Sequence, residues 1–437
     1  MNILSSNLEL RKYFNSVNWQ IFEKIVRIFS GLFVGVWVAR YLGPVEYGIL
    51  SWALSIVGIC SFLSTLGLDS LVTRELSKNK VDKYEILGST LVLRLVGSVL
   101  MSFLVLCVIF LYIEENTHLY VLITLSFIGI FQVAFTFEYY FQSEVRGDII
   151  AKCRIFSLLI VALFKVYLIY SERGIVLFAI SFLLDGFVLS ALYLTFLKKA
   201  NLNFRKLKFS YDISISLLKN SWPLMFSGLV MSIYMKIDQV MIKHLLDDRS
   251  VGLYSAAVRL SEAFNFLPVT ICAAIFPLIM KSKESSGKLF SQRMTNLHSI
   301  MFWFALLIIF FFSICSETIV GFLYGKEFYE ASNILIIHAW SALAVFISVS
   351  TTSWIISENL QKYKLIQDLF GAIFNILLNF ILVPKYGIIG AAYATVISYT
   401  LTLIMLHVLI PKFRENLKYI FEGIIVPLRL LRKRMVL

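Results

Sequence analysis

Four polar residues line up along an otherwise apolar stretch, "GLVMSIYMKIDQVMIKHLL" at 228–246. Ser232, Lys236, Gln239 and Lys243 are spaced four, three and four residues apart, the spacing that stacks side chains in one stripe of a helix. Asp238 falls on another face, because two residues along a helix turn through about 200°. A charge at the centre of a membrane helix costs about 2.5–3.5 kcal/mol on insertion scales. Ammonium and amide donors in one stripe suit an anionic ligand, with Lys236, Gln239 and Lys243 as its candidate contacts.

A second stripe lies near the start of the chain, where Gln20, Glu23, Arg27 and Ser30 are spaced three, four and three. Glu23 and Arg27 are either cavity contacts or an internal salt bridge at i, i+4. Arg94, in "STLVLRLVGS", has no acidic neighbour in sequence and is a further cavity candidate. Depth suggests partners for the rest. Asp238 lies about 12 Å below the outer end of its helix, and Arg259 about 10 Å down the next, so the two are expected to pair. Glu262 is level with Lys236 by the same measure. Lys165 and Asp185 reach similar depth in consecutive antiparallel helices and are expected to form a structural ion pair. Glu138, in the fourth span, is a further intramembrane charge.

Elements must hold these charges in place, and composition says which kind. The chain has 437 residues, of which 59% are hydrophobic and 15% charged, with a mean hydropathy of +0.82. Soluble domains carry about 25% charged residues, so lipid is the solvent here. The five cysteines are scattered, and the five histidines form no HxxxH spacing, which leaves no basis for a disulfide frame, a metal site or a bound cofactor. The net charge of +13 comes from short clusters beside the apolar spans, a pattern of anionic lipid headgroups and not of nucleic acid.

A window of about 20 residues gives twelve spans: 18–39, 46–68, 86–112, 119–141, 155–171, 174–197, 221–246, 252–280, 297–320, 331–356, 365–383 and 387–410. One set of loops holds 28 of the 40 basic residues and the opposite set five, which places both termini in the cytoplasm. The start of the chain reads as a cytoplasmic lead-in without a cleavage site. The expected organisation is an N-terminal bundle of six helices (1–200), a cytoplasmic interfacial linker (201–220), a C-terminal bundle of six (221–410) and a basic cytoplasmic tail (411–437).

An internal repeat supports that division. "ARYLGPVEYGILSWA" (39–53) and "IKHLLDDRSVGLYSAA" (242–257) each close one helix with a basic residue, turn, and enter the next through Gly-aliphatic. Six helices separate them, so the halves share one orientation and are related by a pseudo-two-fold axis along the membrane normal, as in some secondary transporters.

These residues carry a family resemblance as well. "RYLGPVEYG", "IYMKIDQVMI", "VGLYSAAVRLSEAFNFLP", "FEYYFQSE", "LYGKEF" and "VPKYGIIGAAYA" resemble, in order and spacing, the polysaccharide transporters, flippases of O-antigen and other lipid-linked oligosaccharides. Their superfamily also holds multidrug extrusion pumps and the lipid II flippase. "FEYYFQSE" departs from the pattern, with Ser143 and Glu144 where a glycine-containing turn is expected.

The resemblance implies a multi-pass protein of the bacterial inner membrane that is not an enzyme. It would translocate undecaprenyl-pyrophosphate-linked repeat units by alternating access, with H+ or Na+ as the coupling ion. Its partners would be the lipid-linked glycan, the bilayer and other polysaccharide assembly proteins. The alternatives are a drug–cation antiporter of the same fold and a membrane glycan polymerase or glycosyltransferase. Against an enzyme, every outer loop is short, and Asp247-Asp248 reads as a tight turn.

Overall fold

Without water to bond them, backbone N–H and C=O groups must be satisfied within their own segment, and helix is the local answer throughout this chain. The computed structural model describes residues 2–78, 80–112, 116–199 and 202–435. Among them lie sixteen helices of eight residues or more. The first eight are α1 (Asn2–Cys60), α2 (Asp69–Lys78), α3 (Lys83–Tyr112), α4 (Asn116–Ser126), α5 (Thr136–Ser143), α6 (Gly147–Tyr170), α7 (Ile175–Lys199) and α8 (Tyr211–Leu245). The others are α9 (Asp248–Glu262), α10 (Phe266–Ser285), α11 (Gly287–Leu323), α12 (Ala331–Ala339), α13 (Ser341–Ser357), α14 (Lys362–Tyr386), α15 (Ile388–Leu409) and α16 (Phe413–Met435).

Ten helical segments of the described residues are long and apolar enough to cross a membrane. One of them, Asn15–Lys78, carries the first two expected spans in series, and α6 covers the fifth. The first two spans meet at a kink in α1. There Gly43 takes φ 70° and Pro44 opens the second limb, a first-turn position that needs no N–H.

Two compact units result: Met1–Leu42 with Ile49–Lys236, and Gly43–Gly48 with Ile237–Leu437. The division falls inside α8, between Lys236 and Ile237, and not in the stretch 201–220 expected to separate the halves. That stretch is tied to the first unit. Lys208 N–H donates to Tyr84 O at 3.2 Å, and Ser89 Oγ exchanges hydrogen bonds of 3.2 and 3.0 Å with the Ser210 backbone. From Tyr211 onwards the supposed linker is already α8.

In the first unit, Leu71, Ile86, Phe137, Ile150, Tyr193 and Leu217 belong to an apolar core drawn from six helices. In the second, the expected basic tail is largely the helix α16, and it is built in. Phe413 is buried against Trp354 and Tyr363. Asn416 bonds His298 Nε2 at 2.9 Å and donates to Thr351 Oγ1 at 3.2 Å, while His298 Nδ1 lies 2.8 Å from Ser350 Oγ. One satisfied polar chain thus joins α11, α13 and α16.

Candidate functional site

Asp238 sits in the second unit as a buried carboxylate, 6% exposed, and forms no ion pair among the described residues. Tyr254 Oη of α9 donates to it at 2.6 Å, Asn379 Nδ2 of α14 at 2.6 Å and Thr395 Oγ1 of α15 at 2.7 Å. Asn379 Nδ2 also lies 2.9 Å from Asn375 O and 3.1 Å from Asn375 Oδ1. The Asn379 Oδ1 acceptor and the Asn375 Nδ2 donor, both buried, have no partner among the described residues. The expected Asp238–Arg259 pair is not formed. Arg259 turns instead to Tyr47, with Nη1 3.4 Å from Oη. Depth was matched, but the Asp238 face of α8 meets α14 and α15, which sequence depth does not specify.

The polar stripe divides. Lys243 Nζ bonds Asp248 Oδ2 at 2.6 Å, and Asp247 caps α9 by accepting Ser250 N–H at 2.7 Å. Lys243 is thus part of a turn and is withdrawn from the set of open cavity cations; Asp247-Asp248 is that turn. Gln239 is buried, and Glu262 closes α9 half-buried. Lys236 differs from all of these. It is half-buried and makes no hydrogen bond or ion pair among the described residues, and its stem lies within 3.8 Å of where a Cβ on Gly58 would stand.

In the first unit most charges are engaged. Arg27 Nε donates to buried Glu23 at 2.7 Å, which makes the pair an i, i+4 salt bridge. Arg94 is buried on α3 and donates to Tyr139 Oη at 2.9 Å, and Tyr139 in turn donates to Asp69. The cation without an acidic neighbour in sequence therefore reaches one through a tyrosine. Glu138 accepts from Arg154 at 2.5 Å, Tyr193 at 2.9 Å and Gln142 at 3.2 Å. The turn after "FEYYFQSE" is made without glycine at its left-handed position, where Val145 takes φ 55°. The expected Lys165–Asp185 ion pair is absent: Asp185 accepts from Ser157 Oγ at 2.6 Å, and Lys165 Nζ lies 4.4 Å from the centre of the Phe182 ring. Consecutive helices matched in depth presented different faces.

Residues 24–283, well over half of the chain, match the family model described as polysaccharide biosynthesis protein. The chain belongs to that family. Residues 223–381 also match the MatE family model. The chain is 23% identical over 405 residues to the capsular polysaccharide biosynthesis protein CapF of Staphylococcus aureus, covering 89% of this chain and 96% of that protein. It is 25% identical to the probable low-salt glycan biosynthesis flippase Agl15 of Haloferax volcanii, covering 87% and 80%. Among solved structures, an inward-facing multidrug resistance transporter of the MATE family and MOP superfamily matches with a TM-score of 0.68 at 14% identity, over 92% of this chain and 98% of that one. The lipid II flippase MurJ in an inward closed conformation matches with 0.66 at 18% identity, over 94% and 90%. The described residues form a helical, multi-pass membrane protein with the fold of those transporters.

Sequence reasoning missed most of what surrounds the charges in this family member. Arg154 falls between the fourth and fifth expected spans, yet it is the partner of Glu138. Tyr254, Thr395 and Asn379 were not singled out. One signal was available: Asn375 and Asn379 stand four apart in an apolar helix, the same spacing that exposed the stripe on α8.

Proposed function

We propose that this protein is a flippase for a polyprenyl-pyrophosphate-linked oligosaccharide. The specific form of the reading is an undecaprenyl-linked repeat unit of O-antigen or a related surface polysaccharide, moved across the bacterial inner membrane. Two six-helix bundles with both termini cytoplasmic would alternate access, and other polysaccharide assembly proteins would take the product. The printed functions of CapF and Agl15 and the fold shared with the lipid II flippase support this reading.

The observation that carries it is Lys236. An intramembrane cation left without a protein partner has a reason to persist if a phosphate meets it. Arg27, Arg94 and Lys243 keep protein partners, so Lys236 is the phosphate contact that this reading retains. The test is restoration of a surface glycan in cells lacking the native gene, normalised to protein level. Lys236→Arg should retain partial export and Lys236→Met should lose it. Normal export by Lys236→Met would remove the phosphate role.

The coupling ion belongs to Asp238 on this reading. Its carboxylate and the open Asn379 Oδ1 acceptor form an oxygen-rich set that fits a proton or a small monovalent cation. Residues 223–381, which match the MatE model, include both Asp238 and Asn379, and that match is the one observation favouring the antiporter alternative.

A further inference from the structure

The first unit holds a small polar cavity of about 70 Å³ that the reading above does not use. Gln20, Glu23 and Lys24 of α1 wall it, with Glu138 and Gln142 of α5 and Arg154 of α6. Glu23 and Glu138 are 5% and 7% exposed, and each is spent on a guanidinium, from Arg27 and Arg154 respectively. Ile150 and Ala151 add an apolar strip to the wall. Gln20 and Lys24 have no hydrogen-bond partner among the described residues, so their donors are open to a ligand.

Charge decides what fits. A phosphate entering this cavity meets two carboxylates. A metal or organic cation meets Lys24 and Arg154. A neutral ligand rich in hydroxyl groups meets neither penalty: carboxylate and amide oxygens accept its protons, and lysine, arginine and amide N–H groups donate. Burying such hydroxyls requires that set, since an unbonded polar group in an apolar setting is costly. An apolar strip beside the polar groups suits the C–H face of a sugar ring. The volume has room for several water-sized groups, the scale of one ring edge and not of a chain of sugars.

We propose that this cavity binds one neutral sugar residue of the transported glycan and sets specificity at that position. The proposal rests on the flippase reading, and assigns the sugar to this cavity and the phosphate to Lys236.

Two probes separate the two assignments: a short-chain polyprenyl pyrophosphate without sugar, and the same lipid carrying one hexose or N-acetylhexosamine. Binding of each is measured to the purified full-length protein in detergent. The wild type should bind a sugar-bearing probe at least about tenfold more tightly than the bare lipid, the scale of one well-made hydrogen bond to a polar group. Gln20→Leu should bring that ratio close to one, and Gln142→Leu serves as a second variant on another helix. Lys236→Met should weaken both probes together and preserve the ratio. Equal binding of bare and sugar-bearing probes by the wild type, or a ratio unchanged by both glutamine variants, overturns the sugar site and leaves the flippase reading standing. Failure of the wild type to bind either probe overturns both.

Discussion

Gly48 and Gly252 rest on one another's helices in a reciprocal crossing. A Cβ placed on Gly48 would lie 1.8 Å from Asp248 O, and a Cβ on Gly252 would lie 1.9 Å from Pro44 O. Each glycine therefore faces the carbonyl four residues before the other. These are the positions that the internal repeat equates. Backbone occupies the space a methyl group needs, so no side-chain movement relieves the contact. Gly48→Ala and Gly252→Ala should each destabilise the protein by about 1–3 kcal/mol, the usual cost of overpacking, or more if the backbone resists. Thermal unfolding of the purified variants in detergent is the check; unchanged midpoints would mean the crossing is looser than described.

Asp238→Asn keeps the size of the side chain and part of its hydrogen bonding while removing its charge. The variant should remain folded, because Tyr254, Thr395 and Asn379 still have a polar partner. It should lose any Na+- or pH-dependent gain in thermal stability that the wild type displays. A Na+-dependent shift of equal size in both proteins would place the ion elsewhere.

Lys243 and Lys236 should behave oppositely although they share a helix face. Lys243→Met leaves the Asp248 carboxylate without its 2.6 Å partner, so protein level should fall. Surface glycan per molecule of protein should stay near normal. Lys236→Met should give the reverse pattern, with normal protein level and lost export. Matching phenotypes for the two lysines would contradict the division of the stripe.

Arg154→Met strips the strongest donor from Glu138 and leaves a buried carboxylate with only Tyr193 and Gln142. A loss of about 1–3 kcal/mol is expected, the cost of an undersatisfied buried group. The double variant Arg154→Met with Glu138→Gln should recover part of it. A double-mutant cycle on unfolding midpoints measures the coupling; additive effects would show that the pair contributes no interaction of its own.

Residue type and spacing alone determined the solvent and the helical class. Apolar runs of membrane length leave the backbone no other choice. The sequence also singled out the intramembrane charges, because an ionisable residue in such a run stands out against its neighbours: Glu23, Arg94, Glu138, Lys236 and Asp238 were all visible. It set Glu23 and Arg27 in reach of each other, since four residues on one helix is a local distance. Which partner each remaining charge takes was decided only by the tertiary structure. Asp238 and Arg259 agree in depth, as do Lys165 and Asp185, but depth leaves the rotation of each helix about its axis free. That rotation is fixed by packing between distant segments. It brought Asn379 and Thr395 to Asp238, Asp69 to Arg94 by way of Tyr139, and left Lys236 without a hydrogen bond or ion pair among the described residues.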